Sequence, residues 1–110
     1  MILVAGADAE GLGEALESLG VEVVRVTGVA TRESLDAAGL AEAHTLVLTD
    51  MDDASAIPVA KEANTEVRIV AYSRDSLPEF ARGQADLAVD PDLLTPDVVA
   101  EELVDGRVDG

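Results

Sequence analysis

Residues 1–20 read MILVAGADAEGLGEALESLG, and this stretch decides the fold. It begins with a short apolar run, ILVA at 2–5, which is typical of a buried strand. A glycine-rich turn follows, and leucines then recur at helical spacing from Leu12 until Gly20, where the helix is predicted to end. A strand, a glycine turn and an amphipathic helix together form the first unit of a parallel α/β sheet.

The same alternation of apolar runs and helical segments continues along the chain. Further strands are predicted at 21–26, 45–49, 67–72 and 86–89. Helices are predicted to begin at Thr31, at Ser55, at a capping box formed by Ser76 and Glu79, and at Thr95–Pro96, with closing glycines at Gly39, Gly83 and Gly106. Tyr72 and Phe80 are the only aromatic residues of the phenylalanine, tyrosine and tryptophan types, and both are predicted to lie in the core. The pattern predicts one α/β domain over 1–110, a five-stranded parallel sheet with helices on both faces.

Composition excludes several classes of function. The chain has 23 acidic and 7 basic residues, a formal net charge of −16 and no cysteine. Such a negative surface repels nucleic acid, and the absence of cysteine excludes disulfides and thiolate metal sites. No apolar run is long enough to span a membrane and no signal peptide is evident, so we expect a cytoplasmic protein without membrane insertion. The many carboxylates and the single lysine resemble the composition of halophilic proteins.

Several short motifs occur in a fixed order between residues 28 and 91. They are Gly28, Ala30 and Thr31 in a turn, Ala38–Gly39 at a helix end, Thr49–Asp50 after a strand, Ala60–Lys61 at a helix end, and Ala85, Asp86 and Pro91 near the close. This order resembles the second half of the TrkA-N, or RCK, nucleotide-binding domains that regulate potassium transport. The resemblance implies a Rossmann-like fold and a dinucleotide site over the first glycine turn.

The sequence also departs from the TrkA-N pattern. Asp8 stands where the family has the second glycine of its phosphate-binding turn, and no acidic residue ends the second strand to bind a ribose. About one helix and one strand of the family are missing between Gly20 and Gly28. Removal of that outer strand leaves the flavodoxin-like order 2-1-3-4-5. The family comparison therefore predicts a three-layer, doubly wound sheet in this order that has lost the adenosine half of its site.

The candidate cofactor-binding residues lie at the ends of the predicted strands, and no catalytic or metal-binding residues are predicted. They are Gly6, Asp8, Gly11, Gly13, Thr49, Asp50 and Ser73. The glycine turn could offer backbone N–H groups to the phosphate of NAD or another nucleotide. Alternatively, acidic residues including Asp8 satisfy the helix N-terminus themselves, and the turn is structural.

Asp50 allows a second interpretation, because it follows the predicted third strand as the phosphoacceptor does in receiver domains. Receivers also need an acidic pair after the first strand and a lysine after the fifth. This chain has Ala5 and Gly6 where the acidic pair is expected, and Asp90 where the lysine is expected. The resulting domain would be a degenerate, receiver-like one.

Three functions stay open on these observations. The leading one is a non-enzymatic regulatory or ligand-sensing domain with lost or weakened dinucleotide binding, acting through a homodimer or a protein partner in trans. The alternatives are a working NAD(H) or mononucleotide site in a potassium-transport regulator, and a degenerate receiver-like signalling domain. No nucleophile paired with a base supports an enzyme.

We predict that stability rises steeply with salt. The Debye length falls from about 10 Å at about 0.1 M salt to about 3 Å at about 1 M, so repulsion among the carboxylates of the folded chain fades. Urea denaturation across a KCl series at neutral pH measures the effect, which should shrink towards about pH 4 as carboxylates protonate. A midpoint that does not move with KCl would contradict the prediction.

Overall fold

The computed structural model describes residues 1–104 and contains one five-stranded sheet. The strands are β1 (Ile2–Ala5), β2 (Val23–Arg25), β3 (Thr45–Leu48), β4 (Arg68–Tyr72) and β5 (Leu87–Val89). The helices are α1 (Leu12–Ser18), α2 (Arg32–Ala38), α3 (Ala56–Ala63), α4 (Glu79–Arg82) and α5 (Pro96–Val104). All neighbouring strands are parallel, in the order β2-β1-β3-β4-β5, which confirms the predicted fold class and strand order.

Alternate side chains of the central strands supply two separate cores. Leu3 and Ala5 of β1 point to the face covered by α2, α3 and α4, whereas Ile2 and Val4 point to the face covered by α1 and α5. Because side chains alternate along a strand, one four-residue apolar strand serves both layers. Within residues 1–104, no helix has the length and apolarity needed to cross a membrane.

The helix starts predicted from the sequence have mixed outcomes. Thr31 caps α2 through a reciprocal capping box with Ser34, and Gly39 ends that helix with a left-handed φ of 101°. Ser55 precedes α3 as predicted, but its backbone is already helical and its side chain makes no cap hydrogen bond, because a 3-10 turn leads into the helix. The predicted closing residue of α5, Gly106, lies outside the described residues.

The region around α4 corrects two predictions. The capping box of Ser76 and Glu79 does not form, because Pro78 occupies the N-cap position, and the helix is a single turn. Only Ala81 of this turn enters the core, so Phe80 is 57% exposed rather than buried. The predicted core position of Tyr72 is confirmed. The second strand is also shorter than predicted, spanning three residues instead of 21–26.

An ion pair at the amino edge of the sheet joins α3, β4 and β5. Lys61 Nζ donates to Asp86 Oδ2 at 2.9 Å and to the Val67 carbonyl at 2.8 Å, and the Ile69 N–H also donates to Asp86. Burial raises the pKa of the Asp86 carboxyl, but these hydrogen bonds and the positive charge of Lys61 outweigh it and lower the pKa overall. The short strand β5 is thereby held at the edge of the sheet.

Candidate functional site

The candidate residues lie at the carboxyl edge of the sheet, where the chain leaves the strands. In open parallel sheets, ligands bind at this edge beside the point where the strand order reverses. In the order β2-β1-β3-β4-β5 that point lies between β1 and β3. The loop after β1 carries Gly6, Asp8 and Gly11, with Gly13 in the first turn of α1, and the loop after β3 carries Thr49 and Asp50.

The carboxylate of Asp8 occupies the first turn of α1. Its oxygens accept hydrogen bonds from the backbone N–H groups of Leu12 at 2.9 Å and Gly13 at 2.8 Å, and from Arg25 Nη1 at 3.0 Å. The side chain is only 3% exposed, and the residue has a left-handed φ of 53°. In a dinucleotide-binding fold, a phosphate takes these backbone donors. Here an anion of the protein itself takes them.

Arg25 completes this arrangement from the end of β2. Its guanidinium passes so close to Gly13 that a Cβ there would lie 2.6 Å from Nη2. An alanine at position 13 would therefore force the guanidinium to shift, which a long and half-exposed arginine side chain can do. Asp8, Gly13 and Arg25 form one structural unit at the start of α1, which favours the structural interpretation of the glycine turn.

Thr49 closes the crevice between β1 and β3. Its hydroxyl donates to the Ala5 carbonyl at 2.7 Å and accepts from the Asp8 N–H at 3.0 Å, so it joins both sides of the crevice. Gly6 has a φ of 95°, and a Cβ at this position would clash with the Thr49 hydroxyl and press on Asp50. The two loops therefore pack directly on each other at the place where a ligand would enter.

The remaining candidates are not drawn into the same cluster. Asp50 is exposed and accepts a hydrogen bond from the Asp52 N–H at 2.9 Å. Its neighbour Asp53 is buried and accepts from the Ala30 N–H at 3.2 Å, which ties this loop to the start of α2. Ser73 lies in the next loop, and its hydroxyl accepts from the Asp75 N–H at 3.1 Å. The structure therefore groups Gly6, Asp8, Gly11, Gly13 and Thr49, and leaves Asp50 and Ser73 at the margin.

Arg74 links three loops of the carboxyl edge. It donates from Nη1 to Glu10 at 2.6 Å and from Nε to Asp92 at 2.9 Å, which connects the loops after β1, β4 and β5. These two hydrogen bonds raise the pKa of Arg74. The adjacent Tyr72 hydroxyl donates to the Leu94 carbonyl at 2.8 Å, and burial, with the Glu10 carboxylate next in size, raises the pKa of this tyrosine.

The sequence-based list of site residues omitted Arg25 and Arg74, which hold the edge together. A signal was available for both, because basic residues are scarce in this chain, Arg25 ends β2 and Arg74 lies two residues after the end of β4. In a chain so rich in carboxylates, an arginine at the carboxyl edge is expected to bind more than one of them.

Among residues 1–104, no group of three or more histidine or acidic side chains is placed to hold a metal ion. The sequence comparison with receivers places Ala5, the last residue of β1, and Gly6 where receivers bind metal, and it places Asp90, directly after β5, where receivers carry a lysine. Two clefts adjoin β5 instead, with volumes of about 530 and 300 Å³.

Comparisons with known proteins agree with this description. Residues 2–103 match the family described as "Family of unknown function (DUF7126)". An orphan response regulator of H. pylori superimposes with a TM-score of 0.71 and 14% identity, covering 96% of this chain and 94% of its own. A protein described as pilus assembly-related, from Burkholderia pseudomallei, superimposes with a TM-score of 0.67 and 19% identity, covering 97% and 88%. No curated protein sequence matches significantly. At these identities the structural likeness concerns the fold.

We predict that removing the Asp8 carboxylate opens an anion site. Asp8→Gly retains the left-handed backbone and exposes the Leu12 and Gly13 N–H groups beside Arg25. Inorganic phosphate at about ten times its Kd should then stabilise this variant by about 1.4 kcal/mol. Thermal unfolding with and without phosphate, at constant ionic strength, measures the gain.

The matched control is Asp8→Asn, which keeps the side-chain volume. Without phosphate it should lose about 2 kcal/mol of stability, because hydrogen bonds to a charged acceptor are replaced. Phosphate should stabilise neither Asp8→Asn nor the natural chain. An equal phosphate response in all three proteins would contradict the proposed position of the carboxylate.

We predict that Gly6→Ala destabilises the fold more than Gly20→Ala. Both glycines have positive φ, at 95° and 85°, so both substitutions impose backbone strain of about 1–2 kcal/mol. Only at Gly6 does the added Cβ meet Thr49, whereas nothing lies within 4 Å at Gly20. Urea denaturation measures the free energy of unfolding of both variants, and the difference between their losses is the cost of the clash with Thr49. Equal losses in the two variants would show that the crevice is not closed by this contact.

Proposed function

This chain belongs to the DUF7126 family, and we propose that it is a non-enzymatic, receiver-like regulatory domain that acts through protein contacts. It performs neither phosphoryl transfer nor classical dinucleotide binding. The observation that carries the proposal is the Asp8 carboxylate on the α1 N-terminus, with Arg25 and Thr49 packed around it. A domain whose ligand crevice is filled by its own side chains is suited to recognition by its surface.

The likeness to a response regulator supports the receiver-like part of the proposal at the level of fold. Asp50 follows β3 and Ser73 follows β4, as in the sequence-based receiver comparison. Phosphoryl transfer to Asp50 would nevertheless lack a metal-binding acidic pair and a cation after β5, since Ala5, Gly6 and Asp90 take those places. Without them, the charge that develops on the transferred phosphoryl group is not stabilised.

The resemblance to TrkA-N domains stays a prediction, and it gives the competing function, binding of NAD(H) or a mononucleotide. That function requires Asp8 to leave the α1 N-terminus and Arg25 to move off Gly13. The free-energy cost of this rearrangement is high, because the almost fully buried Asp8 carboxylate would lose two backbone hydrogen bonds and an ion pair. An incoming phosphate would also meet the neighbouring Glu10 and Glu14.

Calorimetric titration with NAD, NADH, ATP, AMP and FMN in molar KCl separates these functions. We expect every ligand to bind with a Kd weaker than about 1 mM, equivalent to less than about 4 kcal/mol of binding free energy. The Asp8→Gly variant serves as the control that the assay detects an opened site. A low-micromolar Kd for any nucleotide on the natural chain would overturn the proposal in favour of nucleotide sensing.

A second measurement tests the receiver chemistry itself. The chain is incubated with acetyl phosphate and Mg²⁺, and intact-mass analysis then looks for the addition of one phosphoryl group. We expect none, and Asp50→Asn should behave as the natural chain does. A phosphorylated species that disappears in Asp50→Asn would show that Asp50 accepts a phosphoryl group. That result would contradict the proposal that the domain performs no phosphoryl transfer.

A further inference from the structure

A cleft of about 530 Å³ lies between α4 and the edge strand β5. Its lining comes from the loop after β4 at residues 73–77, from Arg82 at the end of α4, and from residues 85–90, which include β5. This space is called the α4–β5 cleft below. Asp8 and Thr49, which close the crevice between β1 and β3, do not line it. The cleft therefore stays open to a small organic molecule, and its volume is in the range of small-ligand pockets.

The apolar part of the lining is aliphatic. It consists of Ala71, Leu77, Ala85, Leu87, Ala88 and Val89. No aromatic side chain lines the cleft, so it offers no surface on which a nucleobase or another aromatic ring could stack. These side chains are suited to a small aliphatic group, which they remove from water.

Five charged side chains line the cleft, and three of them are already engaged by the protein. Arg74 binds two carboxylates of neighbouring loops. Asp86, at the amino end of β5, is bound by Lys61 and by a backbone N–H group. Asp90, at the carboxyl end of β5, accepts a backbone N–H group of its own turn at 2.8 Å. The selectivity of the cleft therefore depends on the remaining two charges.

These two charges are Arg82 and Asp75, which form no ion pair with each other. Neither pairs with any other charged group within residues 1–104. The Nε of Arg82 donates to the Leu77 carbonyl at 3.3 Å, which holds the guanidinium beside the loop that carries Asp75 two residues earlier. One cation and one carboxylate thus line the same cleft without a partner, in a chain where carboxylates greatly outnumber basic residues.

Two hydroxyl groups lie on the same loop. The Ser73 hydroxyl accepts the Asp75 N–H at 3.1 Å, and Ser76 also lines the cleft. Within the described part of the chain, neither hydroxyl donates a hydrogen bond to a protein acceptor. A hydroxyl with a free proton can donate to a carboxylate, so the loop offers neutral donors next to the Arg82 guanidinium.

We propose that the α4–β5 cleft binds a free α-amino acid with an aliphatic side chain. The ligand's carboxylate pairs with Arg82 and accepts the Ser76 hydroxyl, and its ammonium group pairs with Asp75. Its aliphatic side chain packs on Leu87 and the neighbouring apolar residues. Each part of such a ligand meets a part of the cleft that the protein leaves without a partner.

The charges of the cleft favour a zwitterion over an anion or a cation. A phosphate or dicarboxylate is repelled by Asp86 and Asp90 and by the net charge of −16. An amine without a carboxylate leaves Arg82 unpaired beside a second positive charge. A zwitterion has no net charge, so the acidic surface does not repel it, and its two ends match Arg82 and Asp75.

This inference goes beyond the proposed function, and the two can fail separately. A chain that binds no amino acid and no nucleotide overturns the amino-acid site alone. A low-micromolar Kd for a nucleotide at the crevice between β1 and β3 overturns the proposed function alone.

Titration of the isotope-labelled full chain with L-leucine, followed by amide chemical shifts, provides the first test. The KCl concentration is the lowest at which circular dichroism shows a folded chain. We expect a Kd of about 1 mM or tighter, with shifts grouped at Ser76, Leu77 and Leu87 and none at Gly11 and Gly13. No binding up to about 10 mM leucine, or shifts grouped outside the cleft, would overturn the inference.

Two analogues of leucine test the recognition of both charges. Isocaproate keeps the aliphatic group and the carboxylate but lacks the ammonium group, whereas isoamylamine keeps the ammonium group and lacks the carboxylate. Each should bind at least tenfold more weakly than leucine at the same KCl concentration. An analogue that binds as tightly as leucine would show that the cleft does not select a zwitterion.

Substitutions test the two residues directly. Arg82→Gln and Asp75→Asn should each weaken leucine binding at least tenfold. The matched controls are Arg32→Gln on α2 and Asp97→Asn on α5, which make the same chemical changes at exposed residues outside the cleft. Both controls should bind leucine as the natural chain does, and circular dichroism checks that all four variants are folded. Unchanged binding in Arg82→Gln or Asp75→Asn, or an equal loss in the controls, would overturn the proposed site.

Discussion

The structure of the carboxyl edge depends on one interaction, the Asp8 carboxylate bound to the Leu12 and Gly13 N–H groups and to Arg25. A helix begins with unsatisfied backbone donors and a partial positive charge, which attract an anion. In this chain the anion is covalently part of the turn and is buried against the helix. The need for an external phosphate is thereby removed, and the glycine turn becomes a structural element.

Closure of this crevice removes it from the accessible surface of the domain. Thr49 and Gly6 hold the loops after β1 and β3 in contact, so the usual ligand position has no entrance. At the other end of the sheet, α4 is a single turn and leaves Phe80 exposed beside the short strand β5. A fold that commonly binds cofactors at its switch point thus has this position closed by its own side chains.

The few basic residues are placed where carboxylates would otherwise repel one another. Arg25 binds Asp8, Arg74 joins Glu10 to Asp92, and Lys61 binds Asp86. Arg74, with two carboxylates around one cation, contributes more than an isolated surface pair because it offsets the repulsion between Glu10 and Asp92. Arg82 differs from them, because it makes no ion pair with a carboxylate within residues 1–104.

The sequence by itself determined the five parallel strands and the helix boundaries at Thr31 and Gly39, because apolar periodicity and capping residues act over a few neighbouring positions. The strand order was predicted from the resemblance to the TrkA-N family and not from a local pattern. It also located Asp8 as the residue that disturbs a phosphate-binding turn. Only the tertiary structure decided that Arg25, seventeen positions away, would bind that carboxylate across Gly13, and that Phe80 would be exposed. Both depend on which segments the folded sheet brings together, and no local pattern carries that information.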